Sequence, residues 1–145
     1  MRTVSVDDLR CYLDLRIAIR SLRDEVEEIE QGTYRPYDLI AGRKSSGNRS
    51  DPTAKKAMKL IEVRERLATR IAEYEEMTDA IEEWSLTIKD PVLASAIRWH
   101  YLHGESWQKV GSRLYGYPTA GDGCRVAVRR YLERMSATDA GSVSG

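Results

Sequence analysis

Apolar residues recur at alternating steps of three and four over two long stretches of the chain. In the first, from about residue 7 to 31, they are Tyr12, Leu15, Ile19, Leu22, Val26 and Ile29. In the second, from about residue 52 to 89, they are Leu60, Val63, Leu67, Tyr74, Met77, Ile81, Trp84 and Ile88. This spacing is typical of a coiled-coil seam, where one helix packs along another. The pattern predicts two long helices that fold back on each other as an antiparallel hairpin.

Residues 32–52 separate these two helices and interrupt the apolar pattern. Gly, Pro, Ser and Asn cluster there, and the part reading "GRKSSGNRS" is basic. Such a composition predicts a loop. The loop either simply joins the helices or contacts a nucleic-acid backbone or a protein partner. Asp51 is placed to cap the second helix, with Pro52 at its first position, where a missing N–H costs nothing.

Three shorter helices are predicted after residue 90, over 91–103, 106–114 and 119–135. Residue types that begin or end helices stand at their boundaries: Asp90-Pro91, Gly104, Ser106, Gly116 and Thr119. The residues expected to face the core are Leu93, Ile97, Tyr101, Leu102, Val110, Leu114, Cys124, Val128, Tyr131, Leu132 and Met135. The tail 136–145, "SATDAGSVSG", is small and polar, which predicts disorder.

The last two helices follow each other across a brief turn, as in a helix-turn-helix whose second helix enters the major groove of DNA. Arg125 and Arg129 lie one turn apart on the outer face of helix 119–135 and are predicted to read bases. Phosphate contacts are predicted for residues beside them and for the start of helix 106–114. The complete predicted interface is Ser106, Trp107, Gln108, Lys109, Asp122, Arg125, Arg129, Arg130 and Arg134.

The charge of the chain is distributed unevenly. Its 23 basic and 23 acidic residues give a formal net charge of zero, but residues 91–135 hold seven basic and three acidic residues. This local excess of positive charge favours a nucleic-acid partner for the C-terminal region.

The stretch from Asp90 to Met135 resembles the C-terminal module of bacteriophage transcriptional regulators of the ArpU/RinA type, which is itself similar to region 4 of sigma-70 factors. The residues that carry the resemblance are Asp90-Pro91, Arg98-Tyr101-Gly104, Ser106-Trp107-Val110 and Val128-Tyr131-Leu132. "SDPTAKKAMKLIE", Ser50 to Glu62, resembles the start of the middle helix of these proteins. The resemblance implies a helix-turn-helix transcription regulator of a phage or prophage.

Some residues depart from this family pattern. Gly111 stands where an alanine is more usual, Cys124 where a valine is, and Lys109 where an acidic residue often follows the cap. Gly121 and Gly123 are expected to weaken the first turn of the last helix, because glycine is a poor helix former.

No enzyme site, metal site or cofactor is predicted. Cys11 and Cys124 match no metal-ligand spacing, and His100 and His103 lack further histidines to complete a site. The acidic runs lie on seam-patterned helices, where they form the solvated face. No apolar run approaches the roughly 18 residues of a membrane span. A protein in the cytoplasm of a bacterial host, with no membrane contact, is therefore expected.

Taken together, the patterns predict an all-α protein. Residues 1–90 form a helical hairpin used for oligomerisation, 91–135 a helix-turn-helix, and 136–145 a disordered tail. Surplus apolar surface on the middle helix favours a homodimer. Three functions stay open. The first is a DNA-binding transcription regulator. The second is a DNA-packaging protein resembling a phage small terminase subunit, and the third is a helical interaction module that contacts RNA polymerase.

Overall fold

The computed structural model describes residues 3–33 and 52–143, which form helices and the turns between them. The helices are α1 (Val6–Gln31), α2 (Pro52–Ser85), α3 (Pro91–Ile97), which continues into a π-helical turn (Arg98–Leu102), α4 (Trp107–Tyr115) and α5 (Ala120–Val143). The predicted all-α class is confirmed. Most of the predicted loop 32–52, including the proposed cap Asp51, lies outside the described residues.

The helices α1 and α2 pack against each other, as the apolar pattern predicted. Near the middle of α1, the Arg16 guanidinium donates to the Tyr74 hydroxyl at 3.1 Å. Near the end of α1, Glu30 pairs with Arg64. Because residue numbers rise on one helix while they fall on the other, the two helices run antiparallel.

The chain divides into two compact units, and the division passes through α1 and α2. One unit is Leu15–Tyr74, where Ile19, Ile29 and Val63 are buried. The other unit combines Met1–Asp14 with Glu75–Gly145. It contains α3, α4 and α5, and hence all the predicted DNA-contact residues.

The unit that holds these residues has a core drawn from every helix in it. Its buried apolar residues are Val4, Leu9, Tyr12, Ile81, Trp84, Ile88, Leu93, Ala96, Ile97, Val110, Cys124, Val128 and Leu132. Burial of apolar surface is the main term that stabilises such a core. Residues near the N-terminus are therefore part of the core that supports α3, α4 and α5.

The helix α2 ends at Ser85, four residues before the predicted end, so that boundary was wrong. The Ser85 hydroxyl donates to the Glu82 carbonyl at 2.7 Å, and the Thr87 hydroxyl donates to the Trp84 carbonyl at 2.7 Å. The backbone N–H groups of Leu86, Thr87 and Ile88 also donate to carbonyls three residues back, so the four-residue spacing of the α-helix ends here. The apolar pattern predicts a later end for α2 because Ile88 is buried even though it follows the helix, so the apolar spacing continues past Ser85.

The next helix begins as predicted and then changes geometry. The Asp90 carboxylate accepts from the backbone N–H groups of Val92 and Leu93 at 3.0 and 3.2 Å, with Pro91 in the first turn. After Ile97 the chain forms the π-helical turn, which the apolar pattern did not predict. Turns of this kind are rare and occur mostly as single-turn interruptions of α-helices.

The last helix extends to Val143, whereas the sequence predicted an end at residue 135 and disorder beyond it. Residues 136–143 are helical, so the prediction of a disordered tail is wrong for them. Ala137 and Ala140 favour helix, and the Thr138 hydroxyl donates to the Arg134 carbonyl at 2.9 Å. Small polar residues are typical of disordered tails, but no proline interrupts the helix there.

Candidate nucleic-acid interface

The helix α4 is bounded by a side-chain cap and a glycine. The Ser106 hydroxyl accepts a hydrogen bond from the Lys109 backbone N–H at 3.3 Å, as the sequence predicted. At the other end Gly116 has φ 86°, a left-handed conformation that favours glycine, and its N–H donates to the Ser112 carbonyl at 3.0 Å. The limits of α4 are thus set by local chemistry.

A short turn of backbone hydrogen bonds leads from α4 into α5. The N–H of Ala120 donates to the Tyr117 carbonyl at 3.3 Å, and the N–H of Gly121 donates to the Pro118 carbonyl at 3.0 Å. The helix α5 begins directly after Thr119, the predicted cap position. These hydrogen bonds hold the turn between the two helices, so the direction of α5 is set where α4 ends.

Two glycines let the backbones of α4 and α5 come into contact. A Cβ placed on Gly111 would lie less than 3.0 Å from the backbone nitrogen of Gly121. A Cβ on Gly121 would lie less than 3.0 Å from the Trp107 carbonyl. Gly121, which was expected only to weaken α5, is thus a close packing contact. Gly123 is different, because a Cβ there would meet nothing within 4 Å.

The helix α5 has an apolar face and a charged face. Cys124, Val128 and Leu132 are buried at helical spacing, as predicted. On the opposite side the exposed residues are Asp122, Arg125, Arg129, Arg130, Glu133 and Arg134, with half-buried Val126 among them. All four predicted DNA-contact arginines therefore lie on the solvent side of a helix whose other side is fixed in the core.

The start of α4 is braced by an aromatic stack. The rings of His100 and Trp107 are nearly parallel, at 16°, with centroids 3.8 Å apart. The His100 Nδ1 also lies 2.8 Å from the Glu105 carbonyl. The Trp107 ring is thus engaged in packing within the protein. The predicted contact residues that remain exposed at this end of α4 are Ser106, Gln108 and Lys109.

A second contact ties α4 to the segment before it. Arg113 donates to both Glu105 carboxylate oxygens, the second at 2.6 Å, and its guanidinium lies 4.0 Å from the centre of the Trp99 ring. The hydrogen bond from Arg113 lowers the pKa of Glu105 and raises that of Arg113. The sequence predicted neither this contact nor the aromatic stack, because both join α4 to residues outside that helix, where helical spacing does not apply.

The acidic residues of the 91–135 segment are all engaged with arginines. Besides Glu105, Asp122 lies 3.9 Å from Arg125, and Glu133 lies 4.0 Å from Arg129. Both of these pairs lie along the exposed face of α5. The two arginines predicted to read bases therefore already have carboxylate neighbours.

Three of the seven basic residues in the 91–135 segment differ from the other four in having no salt-bridge partner among the described residues. Lys109, Arg130 and Arg134 are exposed and form no salt bridge within the described part of the chain. Arg98, in contrast, is directed inward, where it donates to the buried Ser85 hydroxyl at 2.9 Å and lies 3.8 Å from Glu82. The basic side chains outside the described salt bridges therefore lie at the start of α4 and along one side of α5.

An apolar groove of about 490 Å³ lies beside α5. Leu93 and Ala96 line it from α3, and Cys124 and Ala127 line it from α5. Burial raises the pKa of the Cys124 thiol, which keeps it neutral. Within residues 3–33 and 52–143, no cluster of three or more His, Cys, Asp or Glu could hold a metal ion.

The structure brings the predicted contact residues into one unit, on α4 and α5. No helix among the described residues is long and apolar enough to cross a membrane. No family model matches the chain, and neither a curated protein nor a solved structure matches it.

Proposed function

We propose that this protein is a sequence-specific DNA-binding transcription regulator of a phage or prophage, and that α5 reads the major groove. The observation that carries the proposal is the exposed arginine face of α5, on a helix fixed against α4 by backbone contact between glycines. A reading helix must keep its orientation to place donors on base edges. Because the backbones of α4 and α5 touch at Gly111 and Gly121, the two helices have little freedom to shift relative to each other.

The distribution of charge supports DNA as the partner. Lys109 on α4, and Arg130 and Arg134 on α5, are exposed and form no salt bridge with a described carboxylate. Phosphate contacts of this kind supply much of the affinity for DNA, and they position the protein on the duplex. Arg125 and Arg129 are assigned to bases, because arginine can donate two hydrogen bonds to guanine.

The proposal is tested by measuring the affinity of the full chain for duplex DNA as a function of salt concentration. Fluorescence anisotropy with a duplex selected by the protein from a random library should give a dissociation constant that rises steeply with salt. A protein that merely docks on RNA polymerase would show no saturable binding to any duplex. A mass corresponding to a large ring would instead favour DNA packaging.

Replacement of Arg129 with alanine should weaken binding to the selected duplex by roughly 1–3 kcal/mol and relax the preference at one base position. The reason is the loss of a bidentate contact that only one base pair satisfies well. Repeating the library selection with the variant checks the position-specific effect. Unchanged affinity together with an unchanged base preference would remove Arg129 from the reading face.

A homodimer is part of the proposal, because two reading helices can engage two half-sites. The apolar surface available for it is smaller than the sequence suggested, since Trp84 is buried within the chain and Leu67 and Ile71 are half-buried. Ile17 and Ile61 remain exposed, at 63% and 57% of their surface. These two are the better residues for a test, because changing them leaves the packing within the chain intact.

Replacing Ile17 and Ile61 together with glutamate should lower the mass measured by light scattering and weaken DNA binding. Charges placed in an apolar contact between subunits oppose association, and a monomer loses the second half-site. Circular dichroism should show unchanged helix content. A monomeric wild-type chain at micromolar concentration would contradict the dimer but leave DNA binding by a single module.

A further inference from the structure

We infer that Asp122 and Glu133 are specificity-determining residues, which restrain Arg125 and Arg129 from binding phosphates on unrelated sequences. The inference rests on the proposed function, since it concerns the same face of α5. Its basis is the difference in surroundings among the four arginines of that helix.

Arg125 and Arg129 each have a carboxylate within reach on their own helix. Asp122 precedes Arg125 by three residues at 3.9 Å, and Glu133 follows Arg129 by four residues at 4.0 Å. Side chains three and four residues apart lie on the same face of a helix. Both pairs therefore move with α5 as a unit, and they will be present whichever sequence α5 approaches.

These two pairs are open to solvent and can be rearranged. About half of the side-chain surface of each arginine is exposed, 48% for Arg125 and 58% for Arg129, and both acids are exposed even more. Exposed ion pairs of this kind contribute little to stability. Ligand binding can therefore separate them without disturbing the fold.

Arg130 and Arg134 form the second class. Neither makes a salt bridge with another described residue, although both are exposed on the same helix. A free guanidinium gains from any phosphate it reaches, and this gain does not depend on base sequence. These two residues are thus suited to holding the protein on DNA in general.

For the paired arginines the outcome depends on sequence. When one of these arginines leaves its carboxylate to bind a DNA phosphate, it exchanges one anionic partner for another. The carboxylate of Asp122 or Glu133 is then left close to the negatively charged DNA backbone. Guanine is different, because it offers two acceptors in the geometry of the guanidinium fork. The carboxylates therefore act as a repulsive element against unrelated DNA, a common way to obtain specificity.

The test compares the full-length wild type with the variants D122N and E133Q on two duplexes of equal length. One is a duplex selected from a random library by the wild type, and the other has the same bases in shuffled order. Each variant should bind the shuffled duplex more tightly, with a salt dependence steeper by about one unit. The ratio of the two affinities should fall about three- to tenfold, as expected for one added phosphate contact.

The matched control is E62Q. Glu62 also pairs with an arginine four residues away on an exposed helical face, that of α2, but it belongs to the other compact unit. Its replacement changes the net charge by the same amount and should leave the ratio unchanged. If each variant raises the affinities for the selected and the shuffled duplex by the same factor, or changes neither affinity, the inference is wrong while the proposed function stands. A wild type that binds no duplex would overturn both.

Discussion

Replacing Gly111 with alanine should lower the free energy of unfolding by about 3 kcal/mol, near the upper end of the usual cost of overpacking a core. The new Cβ would lie less than 3.0 Å from the Gly121 nitrogen and 2.9 Å from the Ala120 carbonyl carbon. Both are backbone atoms, so no side chain can rotate out of the way. The helices α4 and α5 would have to separate. Urea unfolding followed by circular dichroism measures the change.

The control for this experiment is Gly123→Ala, because Gly123 is exposed on α5, the helix that Gly111 packs against, and a Cβ there meets nothing within 4 Å. This variant should gain about 0.5–1 kcal/mol, since alanine loses less conformational freedom in a helix than glycine. A Gly111→Ala variant as stable as the Gly123→Ala variant would show that the helices do not touch at Gly111. Weaker DNA binding should accompany the loss of stability.

Simultaneous replacement of Lys109, Arg130 and Arg134 with alanine should weaken binding to every DNA sequence by about 10²- to 10³-fold at 0.1 M salt. Each unpaired cation is assigned one phosphate, and each lost contact removes about 0.9 from the salt slope. The slope should therefore flatten by nearly three units. Base preferences determined by library selection should persist, because Arg125 and Arg129 are retained.

The control removes three exposed cations from the other compact unit, Arg20, Arg23 and Lys56. It changes the net charge by the same amount, so it isolates the effect of position. Equal losses of affinity in the two triple variants would mean that DNA responds to overall charge alone. In that case α4 and α5 would not be the interface.

Much of the fold could be predicted from the sequence because its determinants are local. The alternating apolar steps predicted the pairing of α1 and α2, and Asp90, Ser106 and Gly116 mark helix ends as expected. The end of α2 was misplaced because apolar periodicity reports burial and does not report hydrogen bonding. Ile88 is buried in a turn, and the pattern cannot distinguish it from a helical residue.

The candidate site was less predictable, because its details depend on contacts between helices. Helical spacing correctly assigned Val128 and Leu132 to the core, and therefore the arginines to the surface. It could not assign Gly111 and Gly121 to a close contact, since propensity scales describe a glycine only as a helix weakener. Nor could it show that Glu133 lies near Arg129 and not near Arg130, since both arginines are within one helical turn of it.

The π-helical turn Arg98–Leu102 has a consequence for how this chain tolerates change in length. A π turn holds one residue more than an α turn spanning the same rise, so losing one residue there would restore a regular α-helix. The residues that follow would keep nearly the same rotation relative to α3, because the five residues of the π turn cover about the same angle as four residues of an α-helix. The His100–Trp107 stack, in contrast, depends on which side chains the π turn itself presents. A single-codon deletion in this segment should therefore change the contacts at the start of α4 and leave the path of the chain from α3 into α4 nearly unchanged.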